Sequence, residues 1–355
     1  MREYVGFALR RVAAAVFTLL VMITLTFVIF WAIPSQPANF VYPGLERHPS
    51  AEQIEKANHF LGIDRPLFVQ EGDYIWHLVQ GDFGKMWANT FITGQQTVQQ
   101  QAVGDTLFPA VRITLSIVLG GALLVLLLAV PLGAIAGRSI GSVSDRTISL
   151  VALIGICTQP MVVGLILRTV FGNNLSWLPP SGYCTFGSGT LAQCGGAGAW
   201  AEHLVLPWIT FSLLFLALYT RMIRVSVDET MREDFVRTAR AKGVGEKRLM
   251  SRHVLPNANL RVLTMVGMEI GTAIGVCVYI EAAFGFAGLG NLAVQEFIGS
   301  SALDRPMIVG VVVMITLIVV IGNLAVDLLY GYIDPRARTA GRSRRTKSLE
   351  AGGVI

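Results

Sequence analysis

The chain gathers its apolar residues into long runs separated by short charged segments, with none of the regular apolar–polar alternation of a soluble amphipathic fold. Uncharged runs cover residues 12–33, 113–137, 147–167, 204–220 and 306–326, and a sixth, 262–280, is interrupted only by Glu269. A helix rises about 1.5 Å per residue and a bilayer core is roughly 30 Å thick, so each run predicts a membrane-spanning helix. The fourth and shortest run reaches that length only by borrowing flanking residues. The expected fold class is an all-α polytopic membrane protein with six transmembrane helices.

Six spans put both termini on one side, and the basic residues choose which. With cytoplasmic termini, the inside segments 1–12, 137–147, 221–261 and 331–355 hold 21 of the 28 Lys and Arg residues, and the outside segments 34–105, 173–203 and 284–305 hold 5. The positive-inside rule favours that orientation. The expected organisation is a cytoplasmic N-terminus and first helix over 1–33, an extracytoplasmic segment over 34–105, a five-helix core over 106–335 with a cytoplasmic loop at 225–258, and a basic cytoplasmic tail over 336–355. The tail, with its cluster between Arg338 and Lys347, reads as an anchor to anionic lipid.

Composition adds exclusions. The chain is 53% hydrophobic and only 14% charged, which argues against a soluble enzyme. Its net charge of +5 is spread over short segments between apolar runs, so no nucleic-acid partner is expected. Arg2, Arg10 and Arg11 precede the first run as in a signal peptide, yet the run is longer than an ordinary signal core and lacks a clear cleavage site, so a retained helix is expected. No Gly-x-x-x-x-Gly-Lys-Ser/Thr loop occurs, so the chain is not expected to bind ATP through that device.

Between the spans, residues 51–61 have helical spacing, and Pro34, Pro37, Pro43, Gly62, Pro66, Gly81 and Gly84 divide the rest of the first outer segment into short pieces. Tyr74, Trp76, Phe83 and Trp87 could rest at the membrane interface, in a cap over the outer mouth or in contact with substrate. Cys184 and Cys194 share the outer segment 173–203, where an oxidising compartment favours a disulfide over free thiols. No His/Cys quartet suggests a metal site.

Residues 228–256 form a charged stretch too long for a turn. It reads as a helix over 229–242, a Gly-Val-Gly break at 243–245, and a second helix ending near Leu255 and Pro256, with Pro256 limiting its continuation into the membrane. The small Ala239 and Ala241 permit close approach of a partner.

These residues resemble the permease subunits of ABC importers, in particular the dipeptide/oligopeptide and nickel group. The importer signature of Glu-Ala-Ala, three residues, Gly, nine residues and Ile-x-Leu-Pro aligns with Arg237-Thr238-Ala239, Gly243 and His253-Val254-Leu255-Pro256, with departures at Arg237, Thr238 and His253 that are similar to the peptide-permease version. Segments 61–67, 81–84, 130–137, 279–292, 303–306 and 323–336 resemble the same group, so the likeness runs over nearly the whole chain. Pro34-Ser35-Gln36-Pro37 departs from it at one outer turn. The resemblance implies a type I importer permease fold and the movement of di- or oligopeptides by alternating access. It implies a homologous second permease, two cytoplasmic ATPases that hold ATP and Mg, an extracytoplasmic binding protein, and no cofactor on this chain. It also implies that Asp234, Ala239, Arg240, Ala241, Lys242, Gly243, Val244, Leu255 and Pro256 belong to the coupling contact with an ATPase; the alternative is a basic loop resting on lipid headgroups.

Polar residues within the spans are the remaining candidates. Gly267, Gly271 and Gly275 share one stripe of the fifth span, suited to tight helix packing, and Glu269 lies about 200° from Gly267 on the opposite face. A carboxylate at mid-membrane costs roughly 2.5–3.5 kcal/mol unless it meets water or a partner. Glu269 therefore either lines the pathway and meets a substrate ammonium, or is a buried structural residue. Glu281 and Asp327, near span ends where water is expected, and Asn323, one turn from Asp327, are candidates for gating or structural pairs. Other readings are a nickel or small-solute importer, an intramembrane hydrolase and a proton-coupled transporter using Glu269. The five histidines are dispersed, with none inside a span, which leaves a metal relay and a membrane general base unsupported.

Overall fold

The computed structural model of the chain describes residues 2–32, 54–55, 58–59, 64–87, 101–185, 194–299 and 304–333. Most of the helix expected over 51–61, the turn at 34–37 and the basic tail lie outside the described residues. In chain order the helices are α1 (Arg2–Ala32), α2 (Leu67–Val79), α3 (Val103–Arg138), α4 (Val143–Cys157), α5 (Pro160–Leu167), α6 (Ala197–Met231), α7 (Asp234–Ala241), α8 (Glu246–Leu249), α9 (Leu255–Phe284), α10 (Leu289–Val294) and α11 (Arg305–Ile333). π-helical turns extend α5 to Asn174, join α8 to α9 over Met250–Val254, and extend α10 to Gly299. Among the described residues, β-structure is limited to isolated bridges such as Lys85 to Ala102.

Among the described residues, five helices, α1, α3, α6, α9 and α11, are long and apolar enough to cross a membrane. The third apolar run differs from expectation: it is two helices, α4 and α5, meeting at 96°, and it makes a sixth span only if the bent pair counts as one. The break falls on Thr158 and Gln159, both extended, ahead of Pro160 at the first turn of α5. A residue before proline is driven out of the helical region, and the apolar run conceals that constraint. The short fourth run lies, as expected, within a longer helix, α6.

Close approaches at glycines define the helix directions. A Cβ at Gly133 would lie 2.6 Å from Ile223, and one at Gly137 2.6 Å from the Arg224 carbonyl, so α3 and α6 run parallel with backbones almost touching. Gly267 against Val326, and Gly322 against Ile270, make α9 and α11 antiparallel, and Gly331 against Phe7 together with Asp327 against Arg11 does the same for α1 and α11. Two packed clusters result. One joins α3, α6 and α9 around Ile117, Phe211, Ile223 and Cys277, and the other joins α1, α11, α10 and the start of α3 around Ile23, Leu107, Met307 and Leu289. Large side chains such as Phe17, Leu123 and Ile154 point outward, as lipid contact demands.

One end of the bundle is tied by ion pairs: Arg11 to Asp327 at 2.8 Å, Arg224 to Asp145, and Arg261 to Glu229. Asp145 also accepts from the Gly141 N–H at 2.9 Å, while Ser142 caps α4. At the other end lie α2, α10 and the Cys184–Cys194 disulfide. There Thr24 of α1 donates to Glu71 of α2 at 2.5 Å, and Tyr74 packs on Phe27. Trp76 is exposed, whereas Phe83 and Trp87 are buried, so these two support the bundle end and do not rest on an interface.

Candidate coupling and pathway sites

The loop after α6 is a short helical hairpin. The helix expected over 229–242 is divided: Glu229 and Thr230 close α6, and α7 begins at Asp234 after the extended Glu233. Gly243 follows the C-cap Lys242 at φ +79, the left-handed conformation that lets its N–H reach the Arg240 carbonyl at 2.9 Å and the Val244 N–H reach Ala239 at 3.2 Å. Arg240 then holds Glu246 of α8 at 2.8 Å. That hydrogen bond lowers the Glu246 carboxyl from its ordinary value and raises the Arg240 guanidinium. Val236, Leu249 and Val254 are buried, fixing the hairpin to the bundle.

The candidate coupling residues therefore separate into two groups. Ala239, Val244 and Leu255 pack against the α3–α6–α9 core, which makes them supports. Asp234, Arg240, Ala241, Lys242, Gly243 and Pro256 are exposed. Pro256 does not limit the helix. It occupies the first turn of α9, and the π-helical turn before it carries the chain on without a stop. A proline lacks the N–H that an opening turn leaves unbonded in any case.

Within the bundle, α3, α6, α9 and α11 border a cavity of about 290 Å³ lined by apolar and aromatic side chains, with Tyr219 and Glu269 among them. On the glycine stripe of α9, only Gly267 has a close neighbour; Gly271 and Gly275 face open space, so the stripe does not pack tightly along its length within the chain.

Glu281 is fully buried, contrary to the expectation of nearby water. Thr114 of α3 donates its hydroxyl to Glu281 Oε1 at 2.6 Å, and the Asn291 N–H donates to Oε2 at 2.9 Å. The Thr114 oxygen also accepts from the Leu289 N–H at 3.0 Å. Gly288 covers the carboxylate, where any Cβ would collide with it. This joint connects α3, α9 and α10. Asp327 pairs with Arg11, while Asn323, half-buried one turn earlier, makes no side-chain hydrogen bond among the described residues. Sequence reasoning missed Thr114, Asp145 and Arg224. The Ser142-x-x-Asp145 pattern at a helix start was a visible signal for Asp145.

Comparison with known proteins decides the family. The model of the binding-protein-dependent transport system inner membrane component matches residues 129–339, and that of the N-terminal part of such membrane components matches residues 4–118. The chain belongs to this family.

The permease is thus a multi-pass inner-membrane component of an ABC importer. It is 31% identical to a putative peptide transport system permease protein of Brucella abortus, over 93% of this chain and 98% of the relative. It is 31% identical to the di/tripeptide transport system permease protein DppB of Pseudomonas aeruginosa, over 94% and 98%, and 30% identical to the glutathione transport system permease protein GsiC of Salmonella typhi, over 94% and 99%. Among solved structures, the MetNI methionine ABC transporter in inward-facing conformations matches with a TM-score of 0.51 at 16% identity, covering 64% of this chain and 96% of that one. That match gives the permease the importer fold.

Proposed function

We propose that the permease moves di- and oligopeptides across the inner membrane as half of a pathway completed by a homologous second permease. Two cytoplasmic ATPases supply ATP hydrolysis with Mg, and an extracytoplasmic binding protein delivers the peptide. The observation that carries the substrate class is the alignment, over nearly the whole chain, with permeases named for peptide, di/tripeptide and glutathione transport. The ion-pair end of the bundle, with α7 and α8, faces the cytoplasm, as the concentration of Lys and Arg there favours.

In this reading α7 and the exposed Arg240, Ala241, Lys242 and Gly243 dock on an ATPase, and Ala239, Val244, Leu249 and Val254 transmit its movement to α6 and α9. Asp234 and Pro256 bound the contact. Glu281 and Asp327 act as structural joints near the two membrane faces, and Asn323 adds a polar position beside the pathway.

The test is recovery of the crosslinked complex from membranes, followed by ATPase assay with and without peptides and the binding protein. A second permease, two ATPases and peptide-stimulated hydrolysis are expected; a lone chain without hydrolysis overturns the proposal. Gly243→Pro tests the coupling element. Proline cannot adopt φ +79 and removes the N–H bonded to Arg240, so uptake should fall more than about tenfold with membrane insertion retained. Near-normal uptake refutes the coupling role.

A further inference from the structure

The cavity between α3, α6, α9 and α11 combines two features that a packed core does not: about 290 Å³ of almost wholly apolar space and, among its lining residues, one acidic side chain, Glu269. No Lys, Arg or His is among the lining residues, and among the described residues Glu269 makes neither an ion pair nor a hydrogen bond. An acidic side chain in that setting gains most from a positive charge brought by the occupant. A bare metal ion fits poorly, because hard cations require several oxygen ligands and the lining offers, besides the carboxylate, the Tyr219 hydroxyl. An organic ammonium fits better. Phe211 and Phe215, stacked on each other at 4.7 Å, and Tyr219 form the aromatic part of the wall, suited to an apolar group. The volume is at the lower end for small-molecule sites, room for one amino-acid residue and not for a whole oligopeptide. Leu119, 66% exposed, leaves one wall of the cavity open at the surface of the chain.

We infer that this cavity takes the N-terminal residue of a peptide in transit, its ammonium on Glu269 and its apolar side chain among Leu119, Phe211, Phe215 and Ile270. The inference rests on the peptide reading above and adds a selectivity inside the permease, separate from that of the binding protein. It assigns α9 a second task, since Glu269 lies between the coupling hairpin and the Glu281 joint on the same helix.

The experiment uses the assembled complex in vesicles, with its ATPases and binding protein. The photoreactive dipeptide p-benzoylphenylalanyl-alanine is irradiated in parallel with its N-acetylated form, attachment sites are mapped by mass spectrometry, and uptake of unlabelled Phe-Ala is measured on the same vesicles. Attachment to cavity residues is expected, at least about tenfold stronger with the free amine, as a charged hydrogen bond supplies. Glu269→Gln should abolish that preference. Ala122→Leu, which fills part of the cavity and keeps the carboxylate, should reduce attachment of both probes and preserve their ratio. Attachment outside the cavity, or one ratio shared by wild type and Glu269→Gln, overturns the inference while uptake of Phe-Ala leaves the peptide reading intact. Absence of Phe-Ala uptake by the wild-type complex overturns both.

Discussion

Thr114 offers the sharpest test of how the bundle is held together. Its hydroxyl serves two buried partners, donating to the Glu281 carboxylate and accepting from the Leu289 N–H. Thr114→Val preserves the shape of the side chain and removes both bonds. Each buried polar group left without its partner costs about 1–3 kcal/mol, so the two together should cost about 2–6 kcal/mol. At roughly 2 °C per kcal/mol for a large chain, the melting midpoint should fall by about 4–12 °C. The assay is thermal unfolding of the detergent-purified permease followed by tryptophan fluorescence. Thr114→Ser, which keeps the hydroxyl, should stay within about 2 °C of wild type by the same conversion. If Thr114→Val melts with Thr114→Ser, the Glu281 joint does not hold α3 to α9 and α10, and the reasoning fails.

Two further outcomes are expected. Gly137→Ala would set a methyl group 2.6 Å from the Arg224 carbonyl, a backbone atom that cannot rotate away, so a loss of about 1–3 kcal/mol and a lower melting midpoint should follow; an unchanged midpoint would mean that α3 and α6 have slack between them. Glu246, lowered by its hydrogen bond from Arg240, holds its proton less tightly in the folded hairpin than in the unfolded chain. Its contribution is complete above the ordinary glutamate value and is lost as pH falls through the lowered folded value. Amide protection factors in α7 and α8, corrected for the intrinsic pH dependence of exchange, should therefore fall on acidification through that range, and Glu246→Gln should remove that part of the pH dependence; an identical profile in both proteins would count against the pair.

The spans were legible because uncharged runs of this length have few other uses, and the exposed face of α7 followed from its charge. The departures have local causes. Pro160 broke the third run because hydropathy carries no information on the backbone of Gln159, and Pro256 was tolerated because a π-helical turn precedes it. Position near a span end suggested water at Glu281, yet the segment after α9 folds back with Gly288 over the carboxylate, a tertiary event that no periodicity reveals. The inward turn of Ala239 was hidden for the same reason: small size permits either a contact with a partner or close packing on the home core. The cavity at Glu269 depends on four helices far apart in sequence, and only the carboxylate announced it.

The helical path from Glu246 to Phe284 is unbroken, passing through α8, the π-helical turn and α9. At about 1.5 Å per residue its contour length is roughly 58 Å. A continuous helix that moves as one body works as a lever: a tilt of about 5° at the hairpin displaces the far end by up to about 5 Å, which exceeds the reach of a hydrogen bond. The bond from Thr114 to Glu281 thus sits where a small rotation gives its largest displacement, and the Glu269 carboxylate lies partway along the arm, where the same rotation moves it less.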